Sequence, residues 1–227
     1  MSQTNTYSIR CPKCNGQQDE LLYDSLDVGA EPDLRRQLLE NRLNMVTCNQ
    51  CGHSFRIDKN LLYHDSREGW MVYLSPSPIE SMAETEAEFR NVLDDLASVL
   101  PSGKTLPPVD LVLSHIELVE RVFVREGGFN PKVIEYVKYL IYTQNLDQFL
   151  PEEKALLLNG QECNEENLCF VLQDVNTRKL ESLMHYKREA YDSLLELLHQ
   201  DGDQSLANQL FPGPHISARA YLMQDDV

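Results

Sequence analysis

Four of the six cysteines form two pairs whose members are separated by two residues: Cys11 with Cys14, and Cys48 with Cys51. This Cys-x-x-Cys spacing lets a tight turn aim both sulfurs at one ion, and two such pairs supply the four thiolates of a closed tetrahedral zinc site. The pattern therefore predicts one structural Zn2+ per chain, held by Cys11, Cys14, Cys48 and Cys51.

The residues around the two pairs agree with this prediction. Asn15 and Gly52 directly follow the pairs, and both residue types tolerate the positive φ that such turns often need. The 33 residues between Cys14 and Cys48 exceed the separation of about 15 to 20 that is usual in compact two-pair sites. A helix predicted over residues 31–42, with proline in its first turn, accounts for the excess as an insertion.

Two other interpretations of the same cysteines stay open. Iron binds in the same cage of four sulfurs, and a metal-free Cys-x-x-Cys pair serves as a redox centre in some proteins. A reactive thiolate usually lies at a helix N-terminus, and no apolar pattern of helix length follows Cys14. The redox interpretation also leaves the second, matched pair unexplained.

The other candidate side chains fit a site less well. His53 and His64 lie near the cysteines in sequence, but four thiolates already complete a closed site, so we expect both histidines outside the ligand set. Cys163 and Cys169 are six residues apart, which forms no chelating turn and indicates buried or free thiols. The sequence contains no Ser-His-Asp order typical of serine hydrolases, no phosphate-binding glycine loop and no His-Glu-x-x-His motif, so we predict no catalytic residue.

Short strands around one helix are predicted for the first third of the chain. Residues 21–23 and residues 55–63 have the apolar content of two strand regions, and residues 70–74 follow the turn-like residues 65–69 as a third strand. The second and third strands are expected to form a hairpin. Trp70, the only tryptophan, is expected in the core rather than as a stacking platform.

The remaining elements are predicted from periodicity and from breakers. Apolar residues recur at helical spacing from Met82 onward in an acidic segment, and residues 101–108 are rich in proline and break that helix. Beyond the break we predict two capped helices, a meander of three strands and a closing helix. The helices begin after Ser114 and Asn130, the strands cover residues 155–158, 168–172 and 180–184, and the last helix covers residues 186–199.

Together these elements predict an α+β protein. An N-terminal zinc-ribbon-like β domain with a helical insertion covers residues 1–78, and a helical bridge with a proline-rich linker covers residues 79–108. A mixed domain of helices and antiparallel sheet, with an acidic composition, covers residues 109–227. The first domain is small, so a metal would replace part of the hydrophobic core that it cannot bury.

The net charge of −16 is unevenly distributed. Residues 1–78 contain eight basic and ten acidic side chains, whereas residues 79–227 contain 12 and 26. An acidic surface repels phosphate backbones, so we expect the C-terminal domain not to bind nucleic acid. The apolar runs are far shorter than the ~18 residues of a membrane span and no signal pattern is visible, which favours a soluble cytoplasmic protein without membrane contact.

The cysteine pairs and their surroundings resemble the CpXC domain, a bacterial zinc-ribbon-like family named for two Cys-x-x-Cys motifs. The resemblance rests on residues 11–14, 23–25, 48–55 and 61–65, and it covers residues 9 to about 75. Asn49 departs from the family pattern, in which proline is usual at that position. Residues 106–200 are similar to the region that accompanies the domain. The resemblance implies a metal-binding module of unestablished activity.

These observations favour a non-enzymatic zinc-binding interaction or adaptor protein with a protein partner, and a homo-oligomer is an alternative assembly. The partner surface is expected on the hairpin side near Trp70 and Tyr73, or on an acidic face of the C-terminal domain. Two other classes stay open: a nucleic-acid-associated protein that binds through the basic residues of the ribbon, and a thiol oxidoreductase that uses one cysteine pair.

Overall fold

The computed structural model describes residues 2–100 and 103–224, and its contacts divide the chain into two compact units, Met1–Val119 and Glu120–Val227. Helices combine with mixed and antiparallel sheets, and the paired cysteines lie in the first unit, which confirms the predicted α+β class. Residues 1, 101, 102 and 225–227 fall within the predicted domains but lie outside the described residues.

The first unit is built on a five-stranded mixed sheet with the order β1-β2-β5-β6-β7. The first two strands pair antiparallel along a long ribbon, and β5 and β6 form the predicted hairpin. The pairs β2/β5 and β6/β7 are parallel. The strands are β1 (Gln3–Arg10), β2 (Gln17–Asp27), β5 (Leu61–Asp65), β6 (Trp70–Leu74) and β7 (Val109–Val112).

A second, two-stranded sheet lies between the helix insertion and the hairpin in sequence. It pairs β3 (Met45–Thr47) with β4 (Ser54–Arg56) in antiparallel register. Val46 from this sheet packs with Ile9 and Leu22 from the long ribbon in a small hydrophobic cluster. The cluster holds only three buried side chains, so this end of the unit has little apolar burial to stabilise it.

Two helices complete most of the first unit. Helix α1 (Pro32–Leu39) is the predicted insertion, and its buried residues Leu34 and Leu38 recur at one turn's spacing on the inner face. Helix α2 (Met82–Ser98) follows a single 3-10 turn, and Phe89 anchors it by stacking on Tyr73 with ring centroids 5.7 Å apart. Most of the other side chains of α2 are exposed or half-buried.

Two helices that follow β7 in the chain confirm the predicted capping residues. Helix α3 (His115–Glu126) begins after Ser114, whose hydroxyl accepts the backbone N–H of Glu117, and it ends at Gly127 and Gly128. Helix α4 (Pro131–Gln144) begins after Asn130, whose side chain accepts two backbone N–H groups of the first turn. Capping of these otherwise unpaired donors fixes where each helix starts.

The predicted meander is confirmed as a three-stranded antiparallel sheet with the order β10-β9-β8. Side chains from β8, β9, α4 and the last helices form one hydrophobic core, with Phe170 and Tyr191 among its fully buried members. The elements are β8 (Lys154–Leu158), β9 (Asn167–Asp174), β10 (Leu180–Lys187), α5 (Arg188–Asp201), α6 (Leu206–Leu210) and α7 (Ala218–Gln224), with a 3-10 turn at Gly202–Gln204.

A buried network of charges lies inside the second unit. Lys138 donates to Glu120 at 2.6 Å and to Glu135 at 2.7 Å, and all three side chains are almost fully buried. Glu120 also accepts the backbone N–H of Leu158, and Glu135 accepts that of Ala218 at 2.8 Å. The network therefore connects α3, α4, β8 and α7, because each carboxylate joins a backbone donor to the same ammonium group.

The structure differs from the sequence prediction in several places. Residues 55–63 were expected as one strand region, but β4 and β5 belong to different sheets. The limits predicted at residues 78 and 108 also differ from those of the compact units, because β7 pairs with β6 in the first sheet. Strands β1, β3 and β7 and the short helices α6 and α7 were not predicted, since these segments are short or show little apolar periodicity.

Candidate metal centre

The first cysteine pair lies in the turn between β1 and β2. The backbone N–H of Asn15 donates to the carbonyl of Cys11 at 2.9 Å, and the N–H of Cys11 donates to the carbonyl of Gly16 at 2.9 Å. Asn15 adopts φ of 60°, in the left-handed region. This closed turn brings the side chains of Cys11 and Cys14 to the same side.

The second pair repeats the same turn between β3 and β4. The backbone N–H of Gly52 donates to the carbonyl of Cys48 at 2.9 Å, and the N–H of Cys48 donates to the carbonyl of His53 at 2.9 Å. Gly52 has φ of 67°, so the predicted left-handed residue is confirmed in both turns. The two turns match residue by residue, which is the arrangement that two Cys-x-x-Cys motifs need in order to serve one ion.

The four sulfur atoms of Cys11, Cys14, Cys48 and Cys51 lie within 4.8 Å of one another. The Sγ atoms of Cys11 and Cys51 are 3.7 Å apart, and those of Cys14 and Cys48 are 3.6 Å apart. A regular tetrahedron with zinc–sulfur bonds of about 2.3 Å has sulfur–sulfur edges of about 3.8 Å. The cluster therefore has the size of a four-thiolate metal site.

One ligand of each pair is buried and the other is exposed. Cys11 and Cys48, the first member of each pair, are 1% and 2% exposed, whereas Cys14 and Cys51 reach the surface. The cluster thus lies at the edge of the first unit, with two sulfurs facing its interior. An ion held there would be within reach of solvent on one side, yet surrounded by sulfur rather than by water.

Gln18 in β2 connects the cysteine turn between β3 and β4 to the β1–β2 ribbon, which carries the other cysteine turn. Its side-chain amide donates to the carbonyl of Thr47 at 3.1 Å, and its Oε1 accepts the backbone N–H of Asn49 at 2.8 Å. These two contacts bracket Cys48 from both sides in the chain. The Gln50 side chain also covers Gly16, where an added Cβ would meet it at 2.5 Å.

Hydrogen bonding separates the acidities of two cysteines in the cluster. Backbone N–H groups of Cys51 and Gln50 point at the sulfur of Cys48 and, helped by the thiols of Cys14 and Cys11, lower its pKa to about 6. The N–H of Gly16 acts to lower the pKa of Cys14, but the surrounding thiols and burial raise it to about 12. Four thiolates in this volume repel each other, so they require a compensating cation.

The donor set fits a metal ion. Sulfur ligands at tetrahedral spacing suit Zn2+ and iron, and the backbone N–H groups aimed at Cys48 reduce the negative charge on its sulfur. Among residues 2–100 and 103–224, this is the group of metal-ligating side chains that converges on one point. The predicted residues Cys11, Cys14, Cys48 and Cys51 are thus brought together as a candidate metal centre.

The histidines near the cluster in sequence have other surroundings. His53 stacks on Phe55 with ring centroids 5.8 Å apart, and His64 lies in β5 opposite Met71. Cys163 and Cys169 are free thiols in the second unit, and the backbone N–H of Cys169 donates to the sulfur of Cys163 at 3.3 Å. Burial raises the pKa of both thiols, so they are mostly protonated at neutral pH.

The structure shows how far the hairpin residues near Trp70 and Tyr73 are buried. Trp70 is buried and stacks on Tyr63 with ring centroids 5.4 Å apart, which confirms its place in the core. Tyr73 is half-buried against Phe89. Most of the apolar residues of this hairpin are buried, whereas Leu62 and Tyr73 are half-buried.

Gln18 and Gly16 are the contributors to the site that the sequence analysis missed. Gly16 directly follows Asn15, and a Cβ at this position would meet the end of the Gln50 side chain from the opposite turn, which would have to move. Gln18 carries no local signal, since its contacts reach residues about thirty positions further along the chain.

The geometry of the paired turns agrees with a comparison against known families. The family described as CpXC protein matches residues 9–138, which is more than half of the chain. The chain belongs to the CpXC family. The matched range includes the whole cysteine cluster and extends beyond the first compact unit to Lys138. No curated protein and no solved structure matches the chain.

None of the helices within the described residues combines the length and the apolar character that a membrane crossing requires.

Proposed function

We propose that this CpXC protein is a zinc-binding interaction protein in which Cys11, Cys14, Cys48 and Cys51 hold one structural Zn2+. The observation that carries the proposal is the cluster of four sulfurs, with edges of 3.6 and 3.7 Å and two matching turns. Four thiolates occupy all four coordination positions of a tetrahedral ion and leave none for a reactive water, which is the arrangement of structural rather than catalytic zinc.

The proposed role of the ion is to stabilise the end of the first unit where apolar burial is small. The adjoining hydrophobic cluster contains three buried side chains, Ile9, Leu22 and Val46, and only half-buried apolar side chains surround them. An ion that joins the β1–β2 turn to the β3–β4 turn would replace the missing core, because it ties together two segments that few other side chains connect. Gln18 supplies one of those other connections.

The proposed partner is a protein with a basic surface, and the proposed contact is helix α2. Its outward residues Glu84, Glu88, Asp94 and Asp95 are exposed, within the part of the chain that carries most of the net negative charge. Such a surface attracts basic proteins and repels phosphate backbones.

Nucleic acid is a weaker candidate partner, because acids pair with several basic residues of the ribbon. Within the described part of residues 1–78, at least four of the eight basic side chains form ion pairs with carboxylates. These pairs are Arg36 with Asp33, Arg42 with Glu40, Arg56 with Asp58, and Lys59 with Asp24.

The structural role of the metal is tested with Cys48→Ser in the full chain, and Cys163→Ser serves as the matched control because Cys163 lies outside the cluster. Thermal unfolding of the first unit is followed by Trp70 fluorescence, with and without a chelator. We expect Cys48→Ser and chelation to lower the unfolding temperature similarly, and Cys163→Ser to leave the response to chelator intact. Unchanged stability together with loss of a thiol–disulfide exchange activity would instead identify a thiol oxidoreductase.

The partner surface is tested by native mass spectrometry of the chain purified from its own host at low ionic strength. We expect an added basic protein that dissociates at high salt and that is lost in the double variant Glu88→Gln with Asp95→Asn. The control neutralises two exposed acids elsewhere, Glu189→Gln with Glu196→Gln, and should retain the partner. An added mass of nucleic acid, or partner binding that both double variants retain equally, would contradict the proposed contact.

A further inference from the structure

The second unit exposes a strand edge. Strand β10 lies at one end of the three-stranded sheet and, among the described residues, it pairs only with β9. It is eight residues long, and two of its apolar side chains, Leu180 and Leu183, are 60% and 58% exposed. The backbone groups on the outer side of an edge strand are free to pair with another strand.

The middle of β10 lacks the features that usually protect an edge. Proteins commonly block edge strands with proline, with charged side chains or with bulges. Between Glu181 and Lys187 the strand contains no proline, lysine, arginine or acid, and its irregularity in pairing lies at the start, between Leu180 and Ser182. The five residues from 182 to 186 therefore present a regular and uncharged edge.

The charges at the two ends of this edge are opposite in sign. Glu181 precedes the uncharged stretch and Lys187 follows it. A second copy of the same strand, placed antiparallel around a two-fold axis at Met184, sets each Glu181 opposite a Lys187 and each Leu183 opposite a His185. A parallel copy in register would place like charges together, so the charge pattern is complementary to itself only in the antiparallel arrangement.

We propose that β10 forms a two-fold symmetric dimer interface with a second copy of this chain, by antiparallel edge pairing centred on Met184. The inner face favours this continuation, because Met184 and Tyr186 already pack against the hydrophobic core of the unit. Glu181 now contacts Lys154, which also contacts Asp174 at 2.9 Å, so Lys154 keeps a carboxylate partner when Glu181 turns toward the second copy. The interface lies entirely in the second unit and does not depend on the proposed zinc site.

Sedimentation equilibrium of the full chain over a range up to about 100 µM measures the dimer directly. We expect the wild type to dimerise and Leu183→Lys to weaken dimerisation at least about tenfold, because it places a lysine in the centre of the edge. The matched control is Leu206→Lys: Leu206 is 60% exposed in α6 of the same unit, and its replacement should leave the dimer intact. Far-UV circular dichroism checks that both variants are folded.

Charge exchange tests the register. Glu181→Lys and Lys187→Glu should each weaken self-association, because like charges then face each other at both ends. An equimolar mixture of these two variants should form heterodimers in preference to either homodimer, since the substituted residues face each other with opposite signs. A monomeric wild type, a dimer insensitive to Leu183→Lys, or a mixture without preference for heterodimers would each overturn the proposal. Loss of a different bound protein in Leu183→Lys, without any wild-type self-association, would assign the edge to that protein instead.

Discussion

Replacing Lys138 with methionine removes the ammonium group that both Glu120 and Glu135 contact in the core of the second unit. Breaking a buried ion pair by removing one partner costs about 3–5 kcal/mol, because the remaining charge stays buried without compensation. We expect Lys138→Met to lower the free energy of unfolding by that amount. Lys132→Met, on the same helix, is the matched control, since Lys132 is only half-buried and donates to the Asn208 side chain. It should cost about 1 kcal/mol or less.

The loss of stability in Lys138→Met should also depend on pH. Burial raises the pKa of Glu120, while Lys138 opposes that rise, so the pKa rises further when Lys138 is lost. A carboxyl group whose folded pKa is raised stabilises the folded state most when it is protonated. The deficit of Lys138→Met relative to wild type should therefore shrink as the pH falls from 7 toward the usual pKa of a carboxyl group.

Denaturant unfolding measures these changes, with hydrogen exchange of residues 131–144 to confirm that the loss lies in α4. Trp70 belongs to the first unit, so its fluorescence does not report α4 directly. The triple variant that adds Glu120→Gln and Glu135→Gln should recover most of the lost stability, because amide oxygens still accept the backbone donors. A loss below about 1 kcal/mol in the single variant, or no recovery in the triple variant, would refute the account of the network.

Four further substitutions test local features of the two units. Gly52→Ala should lower the free energy of unfolding by about 1–2 kcal/mol, because the added Cβ meets no neighbour but the alanine has to adopt φ of 67°. Asn15→Gly should be neutral or stabilising, because glycine adopts a positive φ without strain. Thermal unfolding with metal present compares the two variants. Gln18→Ala should speed the release of metal to a chromogenic chelator, since the amide that brackets Cys48 is lost, and an unchanged rate would contradict that role. The backbone N–H of Thr177 and the other donors around Asp174 hold the pKa of this carboxyl group below its ordinary value of 3.8. Asp174 therefore contributes to the stability of the folded state when the pH is above 3.8, and this contribution is lost as the pH falls below that value. Asp174→Asn should therefore lose stability at neutral pH and show a flatter acid limb in a pH series of unfolding.

The cysteine turns were predictable from sequence because each depends on a few adjacent residues. Spacing identified the four cysteines, and the residue types at Asn15 and Gly52 indicated the backbone conformation that the structure shows. Local signals of the same kind located α4, whose cap, first-turn proline and apolar stripe are all contiguous. The hairpin of β5 and β6 was likewise visible, since its strands adjoin one turn.

The features that escaped prediction depend on contacts between distant parts of the chain. Strand β7 joins the first sheet beside β6 through a parallel pairing that leaves no local pattern. Strand β1 is an edge strand of mostly exposed polar residues and therefore lacks a continuous apolar pattern. The burial of Glu120 and Lys138 was not predicted, because it depends on the contact between their side chains, which lie on different helices.

Four cysteines are proposed to hold one structural zinc ion. Native mass spectrometry of the full chain, purified without chelator and compared with Cys48→Ser, measures it most directly. We expect one zinc ion per wild-type chain, with retention lost or greatly reduced in Cys48→Ser and unchanged in Cys163→Ser. A folded wild-type chain that carries no metal after growth and purification with zinc would refute the structural zinc site, as would zinc retained equally in Cys48→Ser.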